Sequence, residues 1–178
     1  MEFQHKNIRR PAAHYVGHRW YFVTFCCANR HAVFASAPEA EWFTGELRGQ
    51  SESHTFAIHA YCVMPDHVHL LAFGLDPASD LLLFLKSLKQ TTGYEFKRRF
   101  RRDLWQKKFY DHILRSHDTP EQVAAYIWMN PVRKGICADP REYPYSGSFV
   151  QDWKQIAPVK PWVPPWQMPT PRTEARPA

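Results

Sequence analysis

Hydrophobic and polar positions divide the chain into segments typical of strands and segments typical of helices. Residues 20–27 (WYFVTFCC) form an unbroken aromatic and β-branched run, which is typical of a strand buried on both faces. Similar runs cover residues 56–63 and 67–73, and the Met-Pro-Asp turn between them predicts a hairpin. Residues 109–115 are predicted to form a short fourth strand.

Helical periodicity marks three further segments. An amphipathic pattern covers residues 38–49, and a longer apolar stripe with a basic outer face covers residues 80–100. Thr119, with Gln122 three residues later, predicts a capping box at the start of a third helix. Pro131 cannot donate a backbone hydrogen bond, so we expect this helix to distort there.

The order of these elements is β-α-β-β-α-β followed by a helix. This order predicts an α+β protein with a ferredoxin-like split β-α-β antiparallel sheet, helices on one face and an additional C-terminal helix. We expect the other sheet face to be free for a ligand. The domain is predicted to span residues 19–150, between a flexible N-terminal arm (1–18) and a Pro-rich C-terminal tail (151–178).

Composition narrows the class of protein. The 178 residues are enough for one domain, and a net charge of +6 favours an acidic partner. No apolar run approaches the roughly 20 residues that cross a bilayer, and the N-terminus has no secretory apolar segment. The four cysteines form no CxxC pair and are interpreted as free thiols in a reducing cytoplasm.

The His67-Val68-His69 sequence is the first candidate for chemistry. Because side chains alternate along a strand, both imidazoles lie on one sheet face, as two ligands of a metal ion would. The alternative is a pair of ordinary buried histidines, and the pattern alone is weak. Its position directly after a Pro-Asp turn, at the edge of the sheet, favours the metal pair.

Tyr126 and Asn130 are the second candidate, because residues four apart on a helix share one face. The amide oxygen of Asn130 is an acceptable ligand for Mg²⁺ or Mn²⁺. From spacing alone the better interpretation is structural, with Tyr126 as a core tyrosine and Asn130 as a helix-stop residue.

A basic stretch is the third candidate. Nine of the 23 Lys and Arg residues lie between Lys86 and Lys108, interleaved with four aromatic residues. Cations follow phosphates and aromatic rings stack on unpaired bases, so nucleic acid is favoured over a merely solvated helix face.

Two weaker patterns complete the set. Tyr110-Asp111-His112 has the composition of a base-activated hydroxyl, although such neighbours on a strand are as often structural. Cys62 lies across the hairpin from the His pair, which leaves open a zinc site made of Cys62, His67 and His69 without a clear fourth ligand.

Five separate blocks share one resemblance. YCVMPDHVHLL, LKQTTGYEFKRR, WQKKFYDHILR, YIWMNPVRKG and YPYSGSF, in this order over about residues 21–149, closely resemble the REP-associated tyrosine transposases. These belong to the single-tyrosine HUH (His-hydrophobic-His) transposase superfamily, in which the fold is ferredoxin-like.

The resemblance implies a mechanism and residues that carry it. His67 and His69 match the pair that binds a divalent metal, Mg²⁺ or Mn²⁺, and Asn130 matches a third polar ligand. Tyr126 matches the nucleophile that cleaves single-stranded DNA beside a hairpin, leaving a 5′-phosphotyrosine and a free 3′-hydroxyl. The hairpins implied are repetitive extragenic palindromes (REPs).

The expected partners follow from the same resemblance and from charge. The residues expected to contact DNA are all basic: Lys86, Lys89, Arg98, Arg99, Arg133 and Lys134. The protein is expected to be a monomer or a homodimer, cytoplasmic and nucleoid-associated, without a membrane partner.

Two other functions compete with this one. A non-catalytic nucleic-acid-binding module of ferredoxin-like fold is the first, although the aromatic signature of RNA-recognition domains is absent from the strands. A metal-dependent hydrolase that uses water is the second, and in that enzyme Tyr126 would be dispensable.

Overall fold

A computed structural model describes residues 11–156 and 162–164 and shows the α+β architecture expected from the sequence. The strands are β1 (Trp20–Cys27), β2 (Phe56–Met64), β3 (His67–Gly74), β4 (Trp105–Ile113) and β5 (Ser146–Gly147). The helices are α1 (Ala37–Ser53), α2 (Leu81–Phe100), α3 (Pro120–Trp128) and α4 (Asn130–Arg133). The strands form one antiparallel sheet in the order β4-β1-β3-β2-β5.

The first three strands have nearly the predicted bounds, whereas the fourth does not. β4 begins at Trp105 instead of residue 109. It is an edge strand, and its first half exposes Lys107 and Lys108, so this part lacks the apolar run by which the other strands were predicted. β5 has two residues and was not predicted, because so short a strand has no periodicity.

The two faces of the sheet carry separate hydrophobic clusters. Alternate β1 side chains such as Tyr21 and Phe25 pack under α1 and α2, while Phe22 on the opposite face packs under α3. The expectation that this second face would be free for a ligand is therefore wrong over part of its area. Apolar α3 residues such as Val123 and Ile127 cover it.

Helix ends agree only partly with their sequence signals. Thr119 is the N-cap of α3, but its side chain makes no capping hydrogen bond, so the predicted capping box is wrong. Asp80 caps α2 instead, accepting from the backbone amides of Leu82 and Leu83. The expected distortion at Pro131 is confirmed, because helix α3 ends at Trp128 and α4 starts at Asn130.

Parts of the predicted arm and tail contact the domain. Tyr15 is buried, and its hydroxyl donates to Asp111 Oδ2 on β4 at 2.7 Å. Beyond residue 150, Trp153 stacks on Trp128 with ring centroids 4.9 Å apart, and Trp162 is buried. Residues 1–10, 157–161 and 165–178 lie outside the described residues, so the flexible arm and extended tail stay predictions there.

Among the described residues, no helix is both long and apolar enough to span a bilayer.

Changing Tyr15 to Phe tests whether the end of the arm is part of the folded domain. The substitution leaves the buried Asp111 carboxylate without the hydroxyl donor, so the free energy of unfolding is expected to fall by about 2 kcal/mol. Urea unfolding measures this. Tyr94→Phe is the control, because Tyr94 is 70% exposed and its change is expected to stay within about 0.5 kcal/mol. Equal stability of the two variants would show that the hydrogen bond from Tyr15 to Asp111 contributes nothing to the stability of the domain.

Candidate active site

The two histidines of the HxH motif occupy the start of β3, which is the central strand of the sheet, so the expected position at the edge of the sheet is wrong. His67 and His69 pair with Cys26 and Thr24 of β1, and both lie on the sheet face that α3 covers. They are 9% and 7% exposed. The alternation of the strand therefore places both imidazoles side by side, as the sequence predicts.

Each imidazole is oriented by a hydrogen bond on its outer nitrogen. The Nδ1 atom of His67 lies 2.6 Å from Asp66 Oδ1, and that of His69 lies 2.7 Å from the Thr24 hydroxyl oxygen. With both Nδ1 atoms engaged, the two Nε2 atoms face each other at 3.1 Å. The two Nε2 atoms are within hydrogen-bond distance of each other, and a cation that replaces the shared proton would have both nitrogens as ligands.

This geometry fits a metal ion. Two nitrogen ligands on adjacent corners of an octahedron with bonds of about 2.1 Å lie about 3.0 Å apart, close to the 3.1 Å between the two Nε2 atoms. An acceptor on the other ring nitrogen is the usual support of a metal-bound histidine. The Thr24 hydroxyl can accept from His69 Nδ1 as well as donate to it, so it suits the tautomer that ligation requires.

Burial keeps the second histidine neutral. Desolvation, with the nearby His67 and Arg133, holds the pKa of His69 well below its usual value. The hydrogen bond from His67 lowers the pKa of Asp66, which stays an ionised acceptor. A neutral imidazole beside an ionised carboxylate is the protonation state that a cation needs.

Tyr126 reaches the same face from α3. Its ring centroid lies 6.3 Å from that of His69 and 5.9 Å from that of Phe22. The Phe22 side chain projects from β1 and packs between the sheet and α3. The phenol is 6% exposed. The structure therefore brings together three of the residues that the sequence singles out, His67, His69 and Tyr126.

Asn130 and Arg133 form a connected set around the end of α3. The Asn130 amide nitrogen donates to the carbonyl oxygens of Tyr126 and Ile127, at 3.1 and 3.0 Å. Its amide oxygen accepts from Arg133 at 2.8 Å, and the same guanidinium donates to the Tyr126 carbonyl oxygen at 3.1 Å. Metal ligation by Asn130 stays a prediction that would use the second lone pair of its amide oxygen.

Arg133 also lies over the face of the Tyr126 ring. Its Cζ atom is 4.0 Å from the ring centroid, within the range of a cation–π contact. Because one guanidinium contacts the ring, the backbone and the Asn130 amide, Arg133 fixes the Tyr126 side chain relative to the helix end. The sequence indicates Arg133 only as a basic residue close to the tyrosine helix.

Trp162 is a residue of this region that the sequence interpretation missed. Its indole nitrogen donates to Asp118 Oδ1 at 2.8 Å, and its ring lies 5.7 Å from that of Tyr126 and 5.3 Å from that of Phe22. It belongs to the Pro-rich segment, whose composition indicates a tail. Tryptophan residues among these prolines are the one signal in the sequence that part of this segment returns to the domain.

The Tyr110-Asp111-His112 pattern is divided between the two faces of the sheet, with Tyr110 and His112 on one face and Asp111 on the other, and a base-activated hydroxyl there stays a prediction. Neighbours on a strand point to opposite faces, so Tyr110 lies on the face of Tyr126, while Asp111 accepts from Tyr15 on the other. The Nε2 atom of His112 is hydrogen-bonded to Asp118 Oδ2 at 2.8 Å.

The zinc alternative is wrong. Cys62 lies directly across from His69, but burial raises the pKa of its thiol to about 12, which opposes the thiolate that zinc requires. Within residues 11–156 and 162–164, no three His, Cys, Asp or Glu side chains converge as metal ligands.

The residues expected to bind DNA fall into two groups. Arg133 and Lys134 lie at the end of α4, and Arg133 lies over the Tyr126 ring. The other four lie on α2, which packs on the opposite face of the sheet: Lys86, Lys89, Arg98 and Arg99. Lys89 donates to the Gln106 carbonyl oxygen at 2.8 Å and lines a groove of about 480 Å³ between α2 and β4.

Comparison with known proteins identifies the family to which this chain belongs. The family described as "Transposase IS200 like" matches residues 15–130. A protein of Haemophilus influenzae, provisionally named a REP-associated tyrosine transposase, is 28% identical over 145 residues, which cover 75% of this chain and 81% of that protein. A REP-associated tyrosine transposase of Escherichia coli is 26% identical over 106 residues, 55% of this chain and 62% of the relative.

A solved structure is similar as well. The REP-associated tyrosine transposase bound to a REP hairpin matches with a TM-score of 0.67 and 20% identity, over 80% of this chain and 82% of that one. This likeness supports the fold. The chain belongs to the IS200-like transposase family, and the resemblance to REP-associated tyrosine transposases is confirmed.

The depressed pKa of His69 predicts a loss of stability in acid. In the unfolded state this histidine has a pKa of about 6.5, so it binds a proton below that pH, whereas the folded state leaves it neutral. The contribution of His69 to the free energy of unfolding is therefore fully present above pH 6.5 and decreases as the pH falls below 6.5. The slope approaches about 1.4 kcal/mol per pH unit. Urea unfolding with a metal chelator, at several pH values from 7.5 downward, measures it. His69→Gln is expected to lack this component, and equal slopes in both proteins would contradict the assignment.

Proposed function

We propose that this protein is a metal-dependent single-stranded DNA endonuclease and strand transferase, which cleaves beside DNA hairpins through a 5′-phosphotyrosine. The proposal rests most directly on the position of Tyr126, whose ring contacts His69 of the convergent imidazole pair on one sheet face. Membership of the IS200-like family supports a DNA-processing enzyme.

The cleavage step uses the tyrosine as the nucleophile. Its oxygen attacks the phosphorus of a DNA phosphodiester, the bond from phosphorus to the 3′ oxygen breaks, and the phenol proton leaves. The departing 3′ oxygen takes up a proton and becomes a free hydroxyl. The phosphodiester is replaced by a phosphotyrosine ester, so a 3′-hydroxyl can reverse the step without ATP.

His67 and His69 would hold the metal through their Nε2 atoms, with Asn130 as the proposed third protein ligand. The ion is Mg²⁺ or Mn²⁺, and when bound it neutralises charge on the phosphate oxygens. Asp66 and Thr24 keep both rings oriented for this role.

Arg133 prepares the nucleophile. Its guanidinium lies on the Tyr126 ring and is tied to the helix end by two hydrogen bonds, which reduces the rotation of the phenol. The same positive charge is close enough to attract a phosphate that approaches Tyr126. Arg133 and Lys134 are therefore proposed to contact the DNA backbone near the cleaved bond.

The substrate is proposed to be single-stranded DNA next to a hairpin of the REP type. The similar protein of known structure is bound to a REP hairpin. The net charge of +6 and the exposed cations of α2 suit a DNA backbone. In this proposal Lys86, Lys89, Arg98 and Arg99 contact the stem from the other side of the domain. Monomer or homodimer, and cytoplasmic or nucleoid location, stay predictions.

Tyr126→Phe is expected to abolish the covalent adduct. Without the hydroxyl, cleavage of a hairpin-bearing oligodeoxynucleotide in Mn²⁺ should fall by at least about 10³-fold. DNA affinity should stay nearly unchanged, because the ring remains. Denaturing gels of labelled DNA detect the adduct, and Tyr61→Phe, on the other face of the sheet, is the control. Cleavage that persists in Tyr126→Phe would favour a hydrolase using water, and DNA binding by wild type without any cleavage would favour a binding module.

Asp66→Asn is expected to weaken the metal site. The loss of the carboxylate on His67 Nδ1 should lower Mn²⁺ affinity by about 10- to 100-fold, because this acceptor orients the ring and raises its basicity. Calorimetry without DNA measures the affinity directly. Asp76→Asn, in the loop after β3, is the matched control. Equal Mn²⁺ affinity of the two variants would contradict a metal site on this imidazole pair.

A further inference from the structure

A row of aromatic rings crosses the sheet at the end opposite the two histidines. Trp20 of β1 and Phe73 of β3 are directly paired, and their ring centroids are 4.8 Å apart. His59 of β2 lies 4.4 Å from Trp20, measured between ring centroids. His18, just before β1, lies 6.3 Å from Phe73. The row therefore extends over three adjacent strands.

This aromatic row is on the catalytic face of the sheet. Trp20 is four residues before Thr24, the partner of His69, and Phe73 is four residues after His69. An even separation keeps side chains on one face, and four residues of strand span about 13 Å. A DNA strand held at Tyr126 could thus reach the row within a few nucleotides.

The rings of the row are accessible, unlike those in the middle of the face. Phe22 and Leu71 are completely buried under α3, whereas Trp20, His59 and Phe73 are half-buried and His18 is exposed. α3 therefore leaves this end of the sheet partly uncovered.

The chemistry of the row suits bases better than phosphates. Aromatic rings stack on unpaired bases of any sequence, and rings on the two central strands of a four-stranded sheet bind single strands in this way in RNA-recognition domains. Glu121, the first acidic residue of α3, interacts with His59 and would repel a phosphate there. The exposed Arg19 lies next to Trp20 in the chain, and its positive charge can balance the negative charge of the DNA backbone.

We propose that Trp20, Phe73 and His59 form a stacking platform for unpaired bases that flank the cleaved phosphodiester. The proposal rests on the proposed function, because it needs a single strand held at Tyr126. The platform would recognise an unpaired DNA strand and no particular base sequence. The platform would lengthen the bound segment and slow its release.

Binding of extended hairpins tests the platform separately from cleavage. All proteins carry Tyr126→Phe, so no covalent chemistry is needed. The probes are DNA hairpins that carry a single-stranded oligodeoxyadenosine extension on the 5′ or the 3′ side, lengthened one nucleotide at a time. Matched probes have abasic extensions, which keep the phosphates and remove the bases.

For one of the two sides, adenosine extensions are expected to bind about tenfold more tightly than abasic ones once they reach the row. Phe73→Leu should bring this ratio of affinities close to one by weakening the binding of the adenosine probes. The affinity for the abasic probes should stay unchanged. Phe149→Leu, at a half-buried phenylalanine that packs on the other face of the sheet, should keep the ratio.

Trp20→Leu is a second variant, used together with a thermal unfolding curve because Trp20 packs against the cluster under α3. If it fails to fold, Phe73→Leu alone decides. A ratio near one on both sides in the protein that carries only Tyr126→Phe, or an undiminished ratio after the addition of Phe73→Leu, would overturn the platform. Either result would leave the Tyr126 adduct, and hence the proposed function, standing.

Discussion

The orientation of two imidazole rings is the constraint on which the site depends. The Nδ1 atom of His67 donates to the Asp66 carboxylate and that of His69 is hydrogen-bonded to the Thr24 hydroxyl, which leaves the two Nε2 atoms 3.1 Å apart. The sheet supplies these partners without extra loops, because Thr24 is the cross-strand neighbour of His69 and Asp66 belongs to the hairpin turn. Without these two bonds the rings could rotate, and the two Nε2 atoms would no longer face each other.

The second requirement is a rigid link between this imidazole pair and the phenol. The pair is on β3 and Tyr126 is on α3, so their separation depends on how the helix packs on the sheet. Phe22, completely buried, contacts both His69 and Tyr126 and sets that separation. At the other end, beyond the helix break before Pro131, the guanidinium of Arg133 lies over the phenol ring.

Much of this arrangement follows from local sequence. The alternation in β3 predicts that His67 and His69 share a face, and the helical spacing predicts that Tyr126 and Asn130 lie one turn apart. These predictions depend only on backbone periodicity, which tertiary contacts rarely change. The topology follows from the order of strands and helices, and the resemblance in five blocks gives the family.

Contacts between distant segments were not predictable in this way. Nothing near Thr24 indicates that its hydroxyl faces His69 Nδ1, because this depends on the register of two strands. Trp162 could not be placed beside Tyr126 from a proline-rich segment. The basic stretch of α2 is expected to contact DNA, but the sequence does not show that the packing of α2 puts it on the sheet face opposite Tyr126. In each case the deciding interaction joins residues far apart in the chain.

The central claim is that one ion binds both Nε2 atoms, within reach of the phenol of Tyr126. A crystal structure of the protein grown with Mn²⁺, recorded at a wavelength where manganese scatters anomalously, tests it most directly. The account predicts a single strong anomalous peak within about 2.3 Å of both Nε2 atoms, on the side of the Tyr126 ring. A peak elsewhere, or imidazoles turned so that Nε2 no longer faces the ion, would contradict it.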